Sequence, residues 1–212
     1  MHDECFSSRG WSVVKKVAPI AKKHAAVLAG GTALALHIGH RKSVDLDFFT
    51  LKTFSVDKVI FDLSRLGLSL KMLDKGELYV IASIDGVKFS LFTYPYPFVS
   101  DITEHRGLSV AGIVDIASMK VVAVSQRGTK RDFIDLYCIL QRIPMPAIML
   151  NMVKRYGKES INAIHIGKAL VYFADADSDY EPEYLKGQKL SWDRVKSYFR
   201  KNVKSLVFSL TA

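Results

Sequence analysis

The sequence predicts an α+β fold in which a mixed sheet with helices is followed by a helical domain. Strand-like segments dominate the first half of the chain, and segments with helical periodicity dominate the second half. The proline-rich run Tyr94-Pro95-Tyr96-Pro97 lies close to the change between them. We therefore expect two domains, residues 1–105 and residues 106–212, in this chain of 212 residues.

The first half combines short strands with amphipathic helices. Apolar residues recur at helical spacing between Trp11 and Ala21, whereas residues 44–50 divide alternately between two faces. Gly30-Gly31 interrupts the first apolar run, and Asp85-Gly86 predicts a two-residue hairpin turn. The predicted order is helix 11–21, strand 26–29, helix 32–39, strand 44–50, helix 56–66 and strands 68–73, 78–84 and 87–94.

The second half is predicted to be helical from the residue after Gly112 onward. Its apolar residues follow the period of an α-helix, and Ser191 is a suitable N-cap for the last helix. The predicted helices are 113–126, 131–141, 146–156, 160–173 and one that begins near Ser191.

Composition narrows the class of protein and of partner. The net charge of +9 favours a polyanionic partner such as RNA or a nucleoside triphosphate, although a basic surface that only maintains solubility fits equally well. Cys5 and Cys138 lack the spacing of a zinc site or a disulfide framework. The N-terminus lacks the features of a signal peptide, and no apolar stretch is long enough to cross a membrane. We therefore expect a cytoplasmic protein with no membrane partner.

Two short motifs indicate phosphate and metal chemistry. Asp45 and Asp47 are two residues apart on a predicted strand, so their side chains point to the same face, and paired carboxylates suit Mg²⁺. Gly30 and Gly31 lack side chains, so phosphate can approach the backbone at the start of the following helix. Thr32 could add a hydroxyl group. Together the motifs predict an enzyme that handles nucleotides.

Several linked motifs resemble a known family. The segments are residues 28–36 (LAGGTALAL), 39–50 (GHRKSVDLDFFT), 115–120 (DIASMK) and 127–137 (RGTKRDFIDLY), with similar features near residues 173–176 and 191–192. They resemble the AbiEii/AbiGii toxin-type nucleotidyltransferases of the DNA polymerase β-like superfamily. The resemblance implies a polymerase β-like nucleotidyltransferase core followed by a helical C-terminal domain that completes the active-site cleft.

The resemblance also implies residue roles. Gly31 and Thr32 would hold nucleotide phosphates, and Asp45 and Asp47 would coordinate Mg²⁺ or Mn²⁺. Lys120 would contact the triphosphate, and Asp132 would act as a base or as a partner of other site residues. Gly30 and Arg41 are further candidates for binding phosphate, because glycine admits phosphate to the backbone and guanidinium binds it well.

Several of these residues also have a purely structural interpretation. Arg41 could instead order its loop, and Asp132 could cap its helix. Lys120 lies in an otherwise apolar helix and would be costly there unless it faces a cleft or a partner. Tyr94 and Tyr96 could stack on a base or form a rigid interdomain turn.

The same resemblance implies the reaction and its partners. A nucleoside monophosphate would pass from an NTP to an acceptor hydroxyl, with RNA, and especially the 3′ end of tRNA, favoured by the basic charge. The protein would be the toxin of a toxin–antitoxin or abortive-infection (phage-defence) system, with an antitoxin partner. Ser90 is a departure, because it stands where a third carboxylate is expected. A weakened nucleotide- or RNA-binding protein and nucleotide transfer to protein therefore remain alternatives.

Overall fold

In the computed structural model, which describes residues 1–211, the chain forms two compact units. The first contains Met1–Pro97 and Asp101–Ala111. The second contains Phe98–Ser100 and the chain from Gly112 onward. The α+β class predicted from the sequence is confirmed, since the seven strands of the described residues all lie in the first unit with three α-helices, and the second unit is helical.

The first unit is built on a seven-stranded mixed sheet with the strand order β3-β4-β5-β2-β1-β7-β6. Its strands are β1 (Val27–Ala29), β2 (Asp45–Thr50), β3 (Leu70–Gly76), β4 (Tyr79–Ile84), β5 (Val87–Thr93), β6 (Thr103–His105) and β7 (Leu108–Val110). Its helices are α1 (Ser8–Lys23), α2 (Gly30–Ile38) and α3 (Val56–Ser64).

The alternation in β2 separates a core face from a polar face. Leu46 and Phe48 are fully buried, and the ring of Phe48 lies 5.6 Å from that of Phe89 on β5. Asp45 and Asp47 alternate with them and are half-buried. Burial of the apolar side chains therefore fixes the face to which both carboxylates point.

The β4–β5 hairpin has the turn that the sequence predicts. Asp85 and Gly86 both have positive φ, 48° and 82°. Two consecutive positive φ values characterise the turn type that matches the twist of paired strands, and glycine adopts this conformation without steric cost.

Strands β6 and β7 are absent from the sequence prediction, which placed a domain boundary between residues 105 and 106. Each strand has only three residues, too few for a periodic pattern to emerge. They form because β7 pairs in parallel with β1, with Leu28 opposite Val110. The first unit consequently extends to Ala111.

The second unit is helical. Its α-helices are α4 (Ile113–Gln126), α5 (Lys130–Leu140), α6 (Met145–Tyr156), α7 (Ala163–Ala169), α8 (Ala174–Ser178) and α9 (Trp192–Thr211), and a short 3-10 helix spans Lys158–Ser160. Among the described residues, no single helix is long and apolar enough to span a membrane, and α5 with α6 passes that test only as a pair bent by 114°.

An aromatic cluster anchors this unit. Phe133 on α5 lies 5.0 Å from Phe173, 5.9 Å from Trp192 and 5.4 Å from Phe199, measured between ring centroids. The helix predicted over 160–173 is instead interrupted after Ala169, and Phe173 packs on Phe133 just before α8 begins. Local periodicity did not reveal this break, and the ring contact beside it joins two residues that are far apart in the chain.

The segment Phe98–Ser100 belongs to the second unit because Asp115 binds it. The buried Asp115 carboxylate accepts hydrogen bonds from the backbone N–H groups of Val99 (3.0 Å) and Ser100 (2.9 Å). The amide of Asn151 on α6 donates to the same carboxylate at 2.7 Å. Hydrogen bonds to a buried carboxylate compensate its loss of solvation, so Asp115 has a structural role.

Candidate nucleotide site

Asp45 and Asp47 share one face of β2 beside the first turn of α2. Ala29, the residue before α2, pairs with Asp47 across the antiparallel β1 and β2. A Cβ added to Gly30 would lie 3.4 Å from Asp47 Oδ2. The glycine thus allows the carboxylate to approach the backbone at the start of the helix.

Glycine is favoured at both positions of this turn, at Gly30 by the backbone conformation and at Gly31 by the packing of a neighbouring side chain. Gly30 has a φ of +68°, which disfavours other residues, and a Cβ on Gly31 would collide with Nη2 of Arg41. Arg41 is 4% exposed, and its Nη1 donates to the carbonyl of Lys42 at 3.0 Å. The guanidinium group therefore lies against the first turn of α2, where the helix dipole also favours an anion.

Thr32 ties α2 to the start of β2. Its buried hydroxyl lies 2.7 Å from Ser43 Oγ and donates to the backbone carbonyl of Asp45. These contacts position the strand residue that carries the first carboxylate.

The strand beside β2 carries no carboxylate on this face. In the parallel register of β2 and β5, Asp45 pairs with Lys88 and Asp47 pairs with Ser90. Ser90 is fully buried. The register thus places Ser90 beside Asp47, on the neighbouring strand where the family resemblance implies a third carboxylate.

The Asp45 and Asp47 carboxylates are suited to bind a metal ion whose remaining ligands come from the substrate. Within residues 1–211, no group of three or more His, Cys, Asp or Glu side chains could hold a metal ion. Mg²⁺ is often bound by one or two carboxylates together with substrate phosphates, so Asp45 and Asp47 are sufficient protein ligands in kind and number.

Lys120 and Asp132 form a buried ionic cluster in the second unit. Lys120 Nζ lies 2.9 Å from Asp132 Oδ1 and 2.6 Å from Asp135 Oδ2, and all three side chains are buried. Arg127 Nε lies 2.8 Å from Asp132 Oδ2, and the Thr129 hydroxyl donates to the same oxygen at 2.7 Å. Two aspartates thus compensate the charge of Lys120, which is buried in an otherwise apolar helix.

The charge environment holds Asp132 in its ionised form. Burial alone would raise the pKa of its carboxyl, but the positive charges of Lys120 and Arg127 together outweigh burial and hold that pKa far below its ordinary value. A carboxylate with so low a pKa is a weak proton acceptor near neutral pH. Lys120 binds Oδ1 of Asp132, and Arg127 and Thr129 bind Oδ2, so these contacts favour the role of a partner over that of a base.

Comparisons with known proteins identify the family of the chain. A sequence model of the family described as "Nucleotidyl transferase AbiEii toxin, Type IV TA system" matches residues 17–72, which include the glycine pair and both carboxylates of β2. An uncharacterized protein of Aquifex aeolicus is 36% identical over 184 residues, covering 84% of this chain and 85% of that protein. The chain belongs to the AbiEii nucleotidyltransferase toxin family.

Solved structures show the same fold. MenT4, a nucleotidyltransferase toxin from Mycobacterium tuberculosis, is 15% identical with a TM-score of 0.60, covering 95% of this chain and 92% of that chain. JHP933 from Helicobacter pylori is 18% identical with a TM-score of 0.56, covering 99% of this chain and 92% of that chain. Because the sequence identities are only 15% and 18%, these similarities concern the fold alone, and the AbiEii-family chain shares the fold of these two structures.

The structure brings together one part of the predicted AbiEii-type site within the first unit. That part comprises Gly30, Gly31, Thr32, Arg41, Asp45 and Asp47. Lys120 and Asp132 meet each other in the second unit. Two further members of this group, Asp135 and Arg127, were not among the predicted site residues, and Asp135 was interpreted as structural. The i, i+3 spacing of Asp132 and Asp135 and the nearby Arg127 were the signals that could have found them.

Proposed function

We propose that this AbiEii-family protein transfers a nucleoside monophosphate from an NTP to an acceptor hydroxyl. The observation that carries the proposal is the placement of Asp45 and Asp47 on one face of β2, with Asp47 against Gly30 at the start of α2. A carboxylate pair next to a helix N-terminus supplies both a metal site and a phosphate site.

Asp45 and Asp47 would hold Mg²⁺ or Mn²⁺. The ion would neutralise charge on the triphosphate. Thr32 positions the ion's carboxylate ligand by holding the Asp45 backbone, and its own backbone N–H belongs to the first turn of α2. Gly30, Gly31 and Arg41 would bind the phosphates, because this turn offers backbone N–H groups and a guanidinium group.

For the second unit, the family resemblance supports a triphosphate contact by Lys120. Asp132 and Asp135 would then position the Lys120 ammonium group, since both lie within 3 Å of it. The acceptor oxygen forms a new bond to the α-phosphorus, the bond from that phosphorus to the β-phosphate oxygen breaks with release of pyrophosphate, and the hydroxyl proton passes to solvent.

The proposed acceptor is RNA, in particular the 3′ end of tRNA. The net charge of +9 supports a polyanionic partner. Membership in a toxin family supports a role in a toxin–antitoxin or phage-defence system, with a cognate antitoxin protein. We propose that the protein acts in the cytoplasm, where tRNA and NTPs are available.

A labelling assay tests this function. The protein is incubated with Mg²⁺ and each α-labelled NTP in turn, with total tRNA or cell lysate as acceptor. The Asp45→Asn/Asp47→Asn variant should give no labelled product while its circular dichroism spectrum is unchanged. A matched control is Asp57→Asn/Asp101→Asn, which changes two exposed carboxylates of the first unit and should label normally. Equal labelling by the Asp45/Asp47 variant would contradict the assignment, and label on protein instead of RNA would identify the other acceptor.

A second candidate is a weakened site that binds nucleotide or RNA without efficient transfer. The observation in its favour is the pairing of Asp47 with Ser90 in place of a carboxylate. Mg²⁺-dependent NTP binding without any labelled product would favour this candidate.

A further inference from the structure

A row of aromatic rings lies on the same sheet face as the carboxylates. Phe49 follows Asp47 by two residues on β2, so the two side chains share a face and their Cα atoms are about 6–7 Å apart. Phe92 on β5 pairs with Phe49, and Tyr79 on β4 pairs with Phe92. The register therefore places three aromatic residues side by side, one step along the sheet from Asp47.

The rings are in contact with one another. The Phe49 and Phe92 rings are stacked at 5.4 Å between centroids, and Tyr79 lies 6.1 Å from Phe92. The row continues past β5, where Tyr94 lies 5.2 Å from Phe49 and Tyr96 lies 5.2 Å from Tyr94. We call these five residues the aromatic row.

The aromatic row is separate from the hydrophobic core of the sheet. The core side chains Phe48 and Phe89 are fully buried on the opposite face. All five members of the row keep part of their surface exposed, and Tyr96 is 37% exposed. These rings therefore offer part of their surface to a ligand, which the core side chains do not.

The flanks of the row indicate the chemistry of its ligand. On the side away from the rings, Lys88 pairs with Asp45, and Ser83 separates Lys88 from Lys71 across β4. The face thus carries lysines at one end, the carboxylate pair in the middle and rings at the other end, where the Tyr79 hydroxyl donates to Asp74 Oδ2 at 3.0 Å. Phosphates bind to such lysines, and unpaired bases stack on such rings whatever their sequence.

We propose that the aromatic row stacks the bases of a single-stranded RNA segment whose terminal hydroxyl lies at Asp47. This proposal rests on the proposed transfer function, because it names the part of the acceptor that the site holds. A single strand is required, since bases inside a duplex cannot place their faces against side chains.

The test measures RNA binding without NTP. The probe is a fluorescent single-stranded RNA of about twelve nucleotides, compared by anisotropy with a duplex of the same sequence. The Tyr94→Leu/Tyr96→Leu variant removes two rings but keeps apolar side chains. The matched control is Tyr172→Leu/Tyr180→Leu, which removes two exposed tyrosines of the second unit, 59% and 96% exposed. Phe49→Leu provides a second variant if the double variant does not fold.

The expected result is about tenfold or greater loss of single-strand affinity in the Tyr94/Tyr96 variant. Duplex binding, NTP binding and the Tyr172/Tyr180 control should be unchanged. Unchanged single-strand affinity would overturn the proposal. Loss of NTP binding with normal RNA binding would also overturn it, because the rings would then stack on the incoming base.

The Asp45→Asn/Asp47→Asn variant separates this proposal from the transfer function. It should transfer no nucleotide and yet still bind the single strand in preference to the duplex, because its aromatic row is intact. If that variant still transfers nucleotide while the Tyr94/Tyr96 variant has lost RNA binding, the proposed function fails and the aromatic row remains an RNA-binding surface.

Discussion

Ser90 lies directly beside Asp47 in the parallel pairing of β2 and β5, and its side chain is fully buried. A carboxylate at this position would share the face of Asp45 and Asp47. The small neutral hydroxyl avoids placing a third negative charge beside them, so the paired strands β2 and β5 carry only two carboxylates on this face, and both are on β2.

We predict that Ser90→Asp makes the stability of the protein depend on Mg²⁺. A buried carboxylate beside Asp47 should lower the free energy of unfolding by about 3 kcal/mol without divalent cations, and Mg²⁺ should restore much of it. Thermal unfolding with Mg²⁺ and with EDTA measures the effect.

Ser83→Asp is the matched control, because Ser83 shares this face but pairs with Lys88 and Lys71. Its stability should not respond to Mg²⁺. An equal loss of stability with and without Mg²⁺ in Ser90→Asp would contradict the metal assignment. A large gain in transfer rate would indicate that the natural site is weakened.

Gly30→Ala should reduce NTP binding, whereas Gly67→Ala should not. Both glycines have a φ of +68°, so each substitution should cost about 1 kcal/mol through backbone strain alone. Only at Gly30 does the new Cβ meet another group, Asp47 Oδ2, whereas nothing lies within 4 Å at Gly67. Calorimetric titration with MgATP measures the loss of NTP affinity, and urea unfolding measures the loss of stability that comes from backbone strain. Equal NTP affinity in both variants would remove the α2 turn from the phosphate site.

Lys120→Met should destabilise the second unit by about 3–5 kcal/mol, because it leaves buried carboxylates without their ammonium partner. Lys120→Met/Asp135→Asn should recover part of that loss, since one of the two charges is removed with the lysine. Urea unfolding midpoints give both values.

The double variant also tests the proposed triphosphate contact. Lower NTP affinity in a protein of restored stability would support a direct role for Lys120. Normal affinity would limit Lys120 to the buried cluster with Asp132 and Asp135.

Acid should remove the stabilisation that Asp132 provides. Its pKa is lowered from the ordinary value of 3.8, so its contribution is fully present above that pH and is lost as pH falls further toward the folded-state pKa. Asp132→Asn should therefore be less stable than the unchanged protein near neutral pH, and the difference should shrink below about pH 4.

Unfolding midpoints at several pH values check this prediction. Asp175→Asn, at an exposed position of α8, should differ little from the unchanged protein at any pH. A stability difference for Asp132→Asn that stays constant into strong acid would contradict the role of its ionised form.

The candidate site was largely predictable where its residues are close in sequence. The spacing of Asp45 and Asp47 fixes their common face because strand side chains alternate, and burial of Leu46 and Phe48 on the other side confirms it. Ser90 was singled out by the family resemblance, and the strand register then placed it beside Asp47. The partners of Lys120 were harder to foresee, because they lie on the next helix, and pairing across helices is set by packing.

By itself, the sequence determined the α+β class, the order of most elements and the glycine turn before α2, since local periodicity and steric limits of the backbone decide these features. Only the tertiary structure decided the pairing of β7 with β1, the break after Ala169, the burial of Lys120 between two aspartates and the aromatic row beside Asp47. These features depend on strand register and on contacts between residues far apart in the chain, and no local pattern records which distant residues will meet.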